Sequence, residues 1–390
     1  MKKLFIALIL VMLAIDVCAQ TYPPIILEWK IPLAADDIYT LDLDGDGVKE
    51  IYLAVYSDTR SHLYCYDDEG YLQYKLWLDK YGIIYKYRHA SERFNIFYPA
   101  DVDRDGDLDV IAGSDIRGTS VNVQRLYFTE REWVVNIDKI ELKWHYELGD
   151  LITRVIACDI NKDGVDEIIA SSLEGNIYVF DVNKNIKNKY TLPGSVWDIC
   201  IADIDLDTRD EIIAASFDGI TVIDDNTVKW EYPTGNRVIN VHVADVTSDP
   251  GLEIIGLDIA DEMYILKNDG SLIWSKKMAD PSDISAMNLD RYKTDEMLLL
   301  EDVTIYELDG EGNIEWEHSL DEPVKKIHIS SLAENEREDI FVCTYKNLYR
   351  FRVNPDYVKH REGTRHYSTA RDFFMKSRCR DAIKYATKAR

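Results

Sequence analysis

Residues 196–233 read VWDICIADIDLDTRDEIIAASFDGITVIDDNTVKWEYP, and this stretch decides the fold. Three segments, VWDICIAD, EIIAAS and GITVID, are short, apolar and rich in β-branched residues, and a fourth, TVKWEYP, alternates polar and apolar residues. Such runs, separated by acidic or glycine-containing turns, predict four consecutive antiparallel strands, here named A to D. The acidic cluster that begins at Asp203 then forms the turn between strands A and B.

The same unit recurs along the chain. Its acidic or polar clusters begin at Asp42, Asp101, Asp159, Asp203, Asp245, Asn288 and Ser331, with successive spacings of 59, 58, 44, 42, 43 and 43 residues. Repeats of about 40 to 45 residues that each contain four strands are typical of β-propellers, in which one repeat forms one blade. We therefore expect an all-β, seven-bladed β-propeller over residues 25–354.

The N-terminal segment is expected to close the ring. A tryptophan marks strand D in many repeats, at Trp77, Trp144, Trp230, Trp274 and Trp316, where packing between blades is the expected role. Trp29 in IILEWKI carries this pattern before the first cluster, whereas the seventh repeat has no tryptophan strand of its own. The N-terminal strand would therefore complete the last blade and remove its exposed edge.

The first four clusters place oxygen-bearing residues at positions 1, 3, 5 and 9, and position 7 would contribute its backbone carbonyl. Alternating carboxylates on a tight turn can converge on a hard cation such as calcium, so we predict structural calcium sites. The loop is similar to the first half of an EF-hand but joins two strands, since position 12 is apolar (Leu53, Ala112 and Ala170). The predicted ligands are Asp42, Asp44, Asp46, Val48 and Glu50; Asp101, Asp103, Asp105, Asp107 and Asp109; Asp159, Asn161, Asp163, Val165 and Glu167; and Asp203, Asp205, Asp207, Arg209 and Glu211.

The later clusters lose these oxygen ligands step by step. The fifth keeps Asp245, Thr247, Asp249 and Glu253, while the seventh has Ser331, Ala333, Asn335 and Asp339. We therefore expect about three to five bound calcium ions, counted from the ligand oxygens available. The alternative for each cluster is an acidic turn without an ion.

Two sets of residues are candidates for ligand binding on the face opposite the acidic turns. The first repeat carries an insert after Trp77 that contains Tyr85, Tyr87, Arg88 and His89, which suit a binding loop, although a self-packed loop is the alternative. The start of strand A carries polar residues in most repeats, and Arg154, Asp198 and Lys326 among them are candidate ligand contacts at the mouth of the channel. The alternative there is a solvated rim whose charges compensate one another.

Both ends of the chain differ from the repeats. Residues 1–19 have two lysines, an apolar run and a small residue at Ala19, which predict a signal peptide, with a retained anchor as the alternative. We therefore expect an exported protein, extracellular or at the cell surface, with no transmembrane span after cleavage. Residues 355–390 are basic and predict a short α-helical hairpin that resembles a tetratricopeptide repeat and could continue into a longer helical domain.

Composition excludes some classes of function. The net charge of −26 argues against nucleic-acid binding. Five cysteines remain beyond the predicted signal peptide, and their odd, scattered placement is not a disulfide framework. Motifs of known catalytic sites, such as a nucleophile elbow, HExxH or a glycine-rich phosphate loop, do not occur.

The motif DxDxDGxx(D/E) followed by an apolar strand resembles the FG-GAP and VCBS repeat family, which includes the integrin α-subunit propeller. The phenylalanine-glycine and glycine-alanine-proline segments of that family are absent, so the resemblance is to its calcium-loop branch. The resemblance implies structural calcium ions and a non-catalytic adhesion or interaction module that binds protein or carbohydrate on the opposite face. The competing interpretation is a propeller-fold polysaccharide lyase or another carbohydrate-active enzyme, and for a lyase Arg154, Lys326, Arg88 and His89 would be the candidate basic residues.

Overall fold

A computed structural model describes residues 23–42, 46–55, 61–78, 94–104, 109–114, 120–131, 134–224, 227–289, 294–332, 338–359 and 361. The predicted signal peptide, the insert with Tyr85, Tyr87, Arg88 and His89, and the loop residues Asp44, Asp105 and Asp107 lie outside these residues. In the described part of the chain, no helix has the length and apolar character needed to cross a membrane.

The described residues form 28 strands. The first half of the chain contains β1 (Ile25–Ile31), β2 (Asp37–Leu41), β3 (Glu50–Val55), β4 (Ser61–Tyr66), β5 (Leu72–Leu78), β6 (Phe94–Ala100), β7 (Asp109–Ser114), β8 (Ser120–Arg131), β9 (Val134–Glu147), β10 (Ile152–Cys158), β11 (Glu167–Ser172), β12 (Asn176–Phe180) and β13 (Ile186–Thr191). The second half contains β14 (Val196–Ala202), β15 (Glu211–Ser216), β16 (Gly219–Asp224), β17 (Thr227–Pro233), β18 (Val238–Ala244), β19 (Glu253–Asp258), β20 (Glu262–Leu266), β21 (Leu272–Lys277), β22 (Pro281–Met287), β23 (Glu296–Glu301), β24 (Thr304–Leu308), β25 (Ile314–Ser319), β26 (Val324–Ser331), β27 (Glu338–Thr344) and β28 (Leu348–Val353).

These strands form seven four-stranded antiparallel sheets, which are the blades of a β-propeller. Six blades use four consecutive strands, in the orders β2 to β5, β6 to β9, β10 to β13, β14 to β17, β18 to β21 and β22 to β25. The remaining sheet has the order β1, β28, β27, β26. The first strand of each blade contacts the first strands of both neighbouring blades, from β2 through β6, β10, β14, β18, β22 and β26 back to β2. The blades therefore surround a central axis lined by their first strands.

The N-terminal strand β1 completes the last sheet by pairing with β28, with Ile25 opposite Val353 and Ile31 opposite Leu348. Because β28 is paired on both sides, the sheet has no unpaired inner edge at the junction of the two chain ends. Trp29 of β1 packs near Phe341 of the same blade, with ring centroids 6.2 Å apart.

Strand D tryptophans join neighbouring blades, as the sequence predicts. Trp230 donates its indole N–H to the carbonyl of Asn268 in the next blade at 2.9 Å, and Trp274 does the same to Gly310 at 2.8 Å. Trp29 likewise donates to Asp68 at 3.2 Å, across the junction of the chain ends. Gly270 has a φ of +83°, and a Cβ there would lie 2.8 Å from the Trp230 ring, so this turn requires glycine.

The hydrophobic core lies between the blades. The middle strands are buried along nearly their whole length, as in β11 (EIIASS) and β15 (EIIAAS), because both of their faces contact other blades. The outer strands alternate exposed and half-buried residues, as in β17 and β25. This explains why strands B and C are continuous apolar runs in the sequence, whereas strand D alternates.

One part of the predicted fold class is wrong. Helix in the described residues is limited to one turn at residues 355–359 and to residue 361, so the C-terminal α-helical hairpin is not supported. The single turn forms because Asn354 accepts the N–H of Asp356 at 3.0 Å, as a helix cap does. Val358 of this turn packs in the propeller core, and the Tyr357 hydroxyl donates to Glu307 at 2.9 Å. The sequence from residue 362 onward, where the hairpin was expected, lies outside the described residues.

The contacts of Trp29 predict a large cost for its removal. Trp29→Ala removes the packing on Gly70 and Phe341 and the hydrogen bond to Asp68, so we expect a loss of about 3 kcal/mol in the free energy of unfolding. Equilibrium denaturation in urea measures this loss. Ile26→Ala on the same strand, where the side chain is exposed, is the matched control and should change stability by less than about 0.5 kcal/mol. Equal effects of the two substitutions would contradict closure through Trp29.

Candidate functional site

The acidic turns lie where strand A passes into strand B, and each turn ends on a carboxylate at the start of strand B. In six blades this position 9 carboxylate is almost completely buried: Asp109, Glu167, Glu211, Glu253, Glu296 and Asp339. A buried carboxylate needs hydrogen bonds or a positive charge to remain ionised. What each blade supplies to this carboxylate distinguishes the candidate metal sites from ordinary turns.

The third cluster has the geometry of a tight oxygen-lined loop. Both carboxylate oxygens of Asp159 accept backbone N–H groups, from Asp163 at 2.9 Å and from Gly164 at 2.8 Å. The side chain of Asp163 accepts the N–H of Val165 at 3.0 Å. These bonds fix the turn. Glu167 accepts from the Asn161 amide at 2.8 Å through Oε1, while its buried Oε2 has no hydrogen-bond partner among the described residues.

The fourth cluster repeats this arrangement without the glycine. Asp203 accepts the N–H groups of Asp207 at 2.9 Å and Thr208 at 2.8 Å, and Thr208 adopts a φ of +80° that glycine provides in the third loop. Arg209, predicted to act through its carbonyl, also pairs its guanidinium with Asp207 at 2.9 Å. Three carboxylate oxygens lie within 4.8 Å of one another, one each from Asp203, Asp205 and Glu211.

The first and second clusters are described only in part. One carboxylate oxygen each of Asp101, Asp103 and Asp109 lie within 4.8 Å of one another, as in the fourth cluster. In the first cluster Asp42 accepts the N–H of Gly47 at 3.0 Å and Asp46 accepts the N–H of Val48 at 2.7 Å, while Glu50 begins β3. The first loop therefore shares the backbone hydrogen bonding of the third and fourth loops, and the second loop shares the close approach of carboxylate oxygens seen in the fourth.

The donor set of clusters two to four fits a hard cation. Calcium prefers six to eight oxygen ligands from carboxylates, amides, carbonyls and water, which is the composition of these loops. Buried oxygens without a hydrogen-bond partner, Oδ1 of Asp205 and Oε1 of Glu211, are the atoms that a cation would satisfy in the fourth loop. Burial raises the pKa of Glu211, and the N–H of Ile204 and the charge of Lys229 act in the opposite direction.

The fifth and seventh clusters satisfy their position 9 carboxylates without a metal. Glu253 accepts the backbone N–H groups of Val246 and Thr247, each at 3.0 Å, and the Thr247 hydroxyl at 2.7 Å. Asp339 accepts two bonds from the buried guanidinium of Arg350, at 3.1 and 2.9 Å. Where ligand oxygens are lost from the loop, backbone N–H groups, a hydroxyl or a guanidinium of the protein bind the position 9 carboxylate.

The opposite ends of the strand A segments carry a network of charges. Arg154 lies 3.1 Å from Asp37 and 3.4 Å from Asp198, and Lys326 lies 2.7 Å from the other oxygen of Asp37. Asp37 is only 5% exposed, so it is held by two cations in a buried position. The candidates Arg154, Asp198 and Lys326 therefore lie together: Arg154 pairs with both Asp37 and Asp198, and Lys326 pairs with Asp37.

Two further bonds extend this network around the axis. Asn240 donates to Asp283 at 2.8 Å, and Asp283 accepts the backbone N–H of Ile327 at 2.9 Å. Burial would raise the pKa of Asp37, but Lys326 and Arg154 hold it well below its usual value. Burial would lower the pKa of Lys326, but Asp37 raises it above its usual value, so this amine remains protonated.

A cluster on the same face was not identified from the sequence. Phe217 and Ile259 follow directly after β15 and β19, at the ends away from the acidic turns, and are 57% and 51% exposed. Two half-buried residues lie at the same end of these blades: the Arg237 guanidinium stacks on the Trp197 ring, 4.1 Å from its centroid, and the Arg237 carbonyl accepts the backbone N–H of Ile259 at 3.0 Å. Trp197, Phe217, Arg237 and Ile259 form what we call the aromatic patch. Apolar residues in the turn segments SFDG and DIAD are the signal that could have revealed it.

Comparisons with known proteins support the fold and leave the family open. No family model and no curated protein matches the chain. Solved structures match in fold: a crystal structure of BBS1N in complex with ARL6DN, soaked with mercury, has a TM-score of 0.62 and 12% identity, covering 85% of this chain and 97% of that chain. The lead-soaked crystal of the same complex has a TM-score of 0.61 and the same coverage and identity. At this identity the likeness shows the β-propeller fold alone.

Half-buried His328 near the charge network predicts acid sensitivity. Burial lowers its pKa from 6.5 to about 4. As the pH falls below 6.5 the unfolded chain takes up the proton and the folded protein does not, so stability is lost down to about pH 4. We expect the free energy of unfolding of the wild type to fall by about 3 kcal/mol more over this window than that of His328→Gln. Urea denaturation at pH 7, 5.5 and 4 measures the difference, and parallel curves would contradict it.

Proposed function

We propose that this protein is an exported, calcium-stabilised propeller that binds a protein partner through the aromatic patch and catalyses no reaction. The observation that carries the proposal is the aromatic patch itself. Large apolar side chains exposed together with a stacked arginine and tryptophan are characteristic of protein interfaces, in which tryptophan and arginine contribute much of the binding energy. Propellers can present such a patch on rigid turns, which lowers the entropic cost of binding.

The patch lies at the end of the blades away from the acidic turns. Phe217 is held by a backbone bond from its N–H to Ser195 at 2.9 Å, and its side chain covers Gly194. Ile259 is held in the same way by Arg237. Because their backbones are fixed, these exposed side chains form a preorganised surface that spans two neighbouring blades.

The state of the charge network argues against the lyase interpretation. Arg154 and Lys326 are both paired with Asp37, and Lys326 remains protonated, so neither can readily accept a proton from a sugar ring. The candidates Arg88 and His89 lie outside the described residues. The network is better suited to holding the first strands together around the axis.

Calcium and export belong to the same proposal. Acidic loops with buried, unsatisfied oxygens would bind calcium where it is abundant, as it is outside the cell, and export agrees with the signal peptide predicted for residues 1–19. In this proposal the ions stiffen the turns of the first four blades, and the binding surface lies at the other end of the strands. The solved propeller in complex with ARL6DN is an example of this fold with a protein partner.

Site-specific photo-crosslinking tests the proposed surface. With p-benzoylphenylalanine in place of Phe217, irradiation in conditioned medium and cell extract of the producing organism should give a discrete protein adduct. The same reagent in place of Leu272, which is 43% exposed on outer strand β21, is the matched control and should not give that adduct. Ile259→Asp should abolish the adduct at position 217 while leaving the melting temperature nearly unchanged.

Two outcomes would contradict a protein partner at this surface. One is the same set of adducts from positions 217 and 272, which would indicate nonspecific contact. The other is a glycan-array signal that Ile259→Asp removes without any protein adduct, which would assign the surface to carbohydrate.

Calcium binding to the loops is tested by thermal unfolding. Calcium should raise the melting temperature of chelator-treated protein by several degrees, because it binds the folded state. Asp203→Asn removes a charged ligand of the fourth loop and should reduce this increase. Glu311→Gln, an exposed charge on the same face outside the loops, should leave it unchanged. An identical melting temperature in excess chelator and in calcium would contradict the assignment.

A further inference from the structure

Every blade has a bulge at one equivalent point of its outer strand. In each pairing of the outer strand with its neighbour, one residue is skipped in the register at this point, and the longer β8–β9 pairing has a second irregularity farther along the strands. The skipped residues are Glu28, Gln73, Lys143, Lys187, Lys229, Ile273 and Glu315. A bulge redirects a side chain relative to the strand, so these seven positions are where the outer strand can reach out of the regular sheet pattern.

The bulge residue is lysine in three blades, and in each of them it reaches the acidic turn. Lys143 lies 2.7 Å from Asp109, Lys187 lies 2.6 Å from Glu167, and Lys229 lies 3.6 Å from Glu211. In all three the partner is the buried position 9 carboxylate, although the outer strand and the turn are far apart in sequence. We call these residues the bulge lysines.

The bulge lysines occur in the blades of clusters two, three and four. Two of them also contact position 3 of their loops: Lys143 lies 2.8 Å from Asp103, and Lys229 lies 2.7 Å from Asp205. The ammonium groups thus bind oxygens of the same carboxylates that are the predicted calcium ligands. The equivalent residues of the fifth and sixth blades, Ile273 and Glu315, carry no positive charge.

Blade seven shows why a cation is placed there. Its loop has lost the acidic residues at positions 1, 3 and 5, yet Asp339 at position 9 is buried and is paired with the guanidinium of Arg350 at 2.9 Å. A buried carboxylate left without a partner is strongly destabilising, so each blade must compensate it with a cation or with hydrogen bonds. The lysines of clusters two to four are in a position to supply this charge from within the chain.

We propose that the bulge lysines are tethered counter-cations that compete with calcium for the position 9 carboxylates and so set the calcium affinity of loops two to four. This inference rests on the proposed calcium binding. Without the metal, the ammonium neutralises the buried carboxylate and keeps the turn folded. When calcium binds, the lysine must yield part of its contact and remains a repulsive charge near the ion, which weakens binding.

The test uses Lys187→Met in the purified full chain, because Lys187 contacts the fully described third loop. Removing the ammonium should increase the calcium affinity of one class of sites about tenfold. The ion would no longer have to displace Lys187 from Glu167, and the repulsion between the ammonium and the bound ion would be gone. Calorimetric titration measures the affinity. The melting temperature of the chelator-treated variant should fall below that of wild type. Lys187→Arg keeps the charge and should retain wild-type affinity.

Lys189→Met is the matched control on the same strand. The Lys189 ammonium lies over the Tyr178 ring, 4.9 Å from its centroid, and no ion pair between Lys189 and an acidic loop is found among the described residues. Its loss should leave calcium affinity unchanged. The control separates the role of Lys187 from a general effect of removing one positive charge from an acidic protein.

The outcomes separate the two proposals. If wild type and Lys187→Met both bind calcium with equal affinity, or if Lys187→Met binds more weakly, the lysine does not compete with the ion and this inference is overturned, while the calcium sites stand. If neither protein binds calcium, the calcium part of the proposed function fails, and competition by the lysine fails with it. Tighter binding by Lys187→Met alone supports both.

Discussion

The burial of one carboxylate at the start of the second strand in six of the seven blades is the constraint on which the turn face depends. This position holds Asp109, Glu167, Glu211, Glu253, Glu296 or Asp339 in those blades, whereas Glu50 of the remaining blade is half-buried. A charge removed from water must be compensated, and the blades do so differently. Backbone and hydroxyl donors serve Glu253, an arginine serves Asp339, and lysines serve the three carboxylates in the loops that fit calcium.

This constraint also explains how the two ends of the blades differ. At the turn end, the acidic loops compensate the charge of the buried carboxylates. At the other end, the charges of Asp37, Arg154 and Lys326 compensate one another near the axis, and the turns farther out carry exposed apolar residues. The rigid, paired network holds the first strands in place, and the aromatic patch lies on the turns that this framework fixes.

The sequence predicts the repeating strands well because their period and apolar pattern are local properties. It also indicates the role of Trp29, since an outer-strand pattern before the first cluster has no other place in the ring. The aromatic patch was missed because Trp197 and Arg237 become neighbours only when two blades pack together. The bulge lysines were missed for a related reason: their position depends on strand register, which residue spacing does not reveal. The helical hairpin was a wrong inference from a short apolar pattern.

Anomalous diffraction from crystals soaked in a lanthanide that replaces calcium tests the central claim most directly, because it locates each ion relative to its position 9 carboxylate. We expect peaks within loops two, three and four, each bound by the carboxylate that the bulge lysine contacts in the ion-free protein, and no peak at the seventh loop, where Arg350 pairs with Asp339. Absence of peaks from loops two to four, or a peak at the seventh loop, would contradict it.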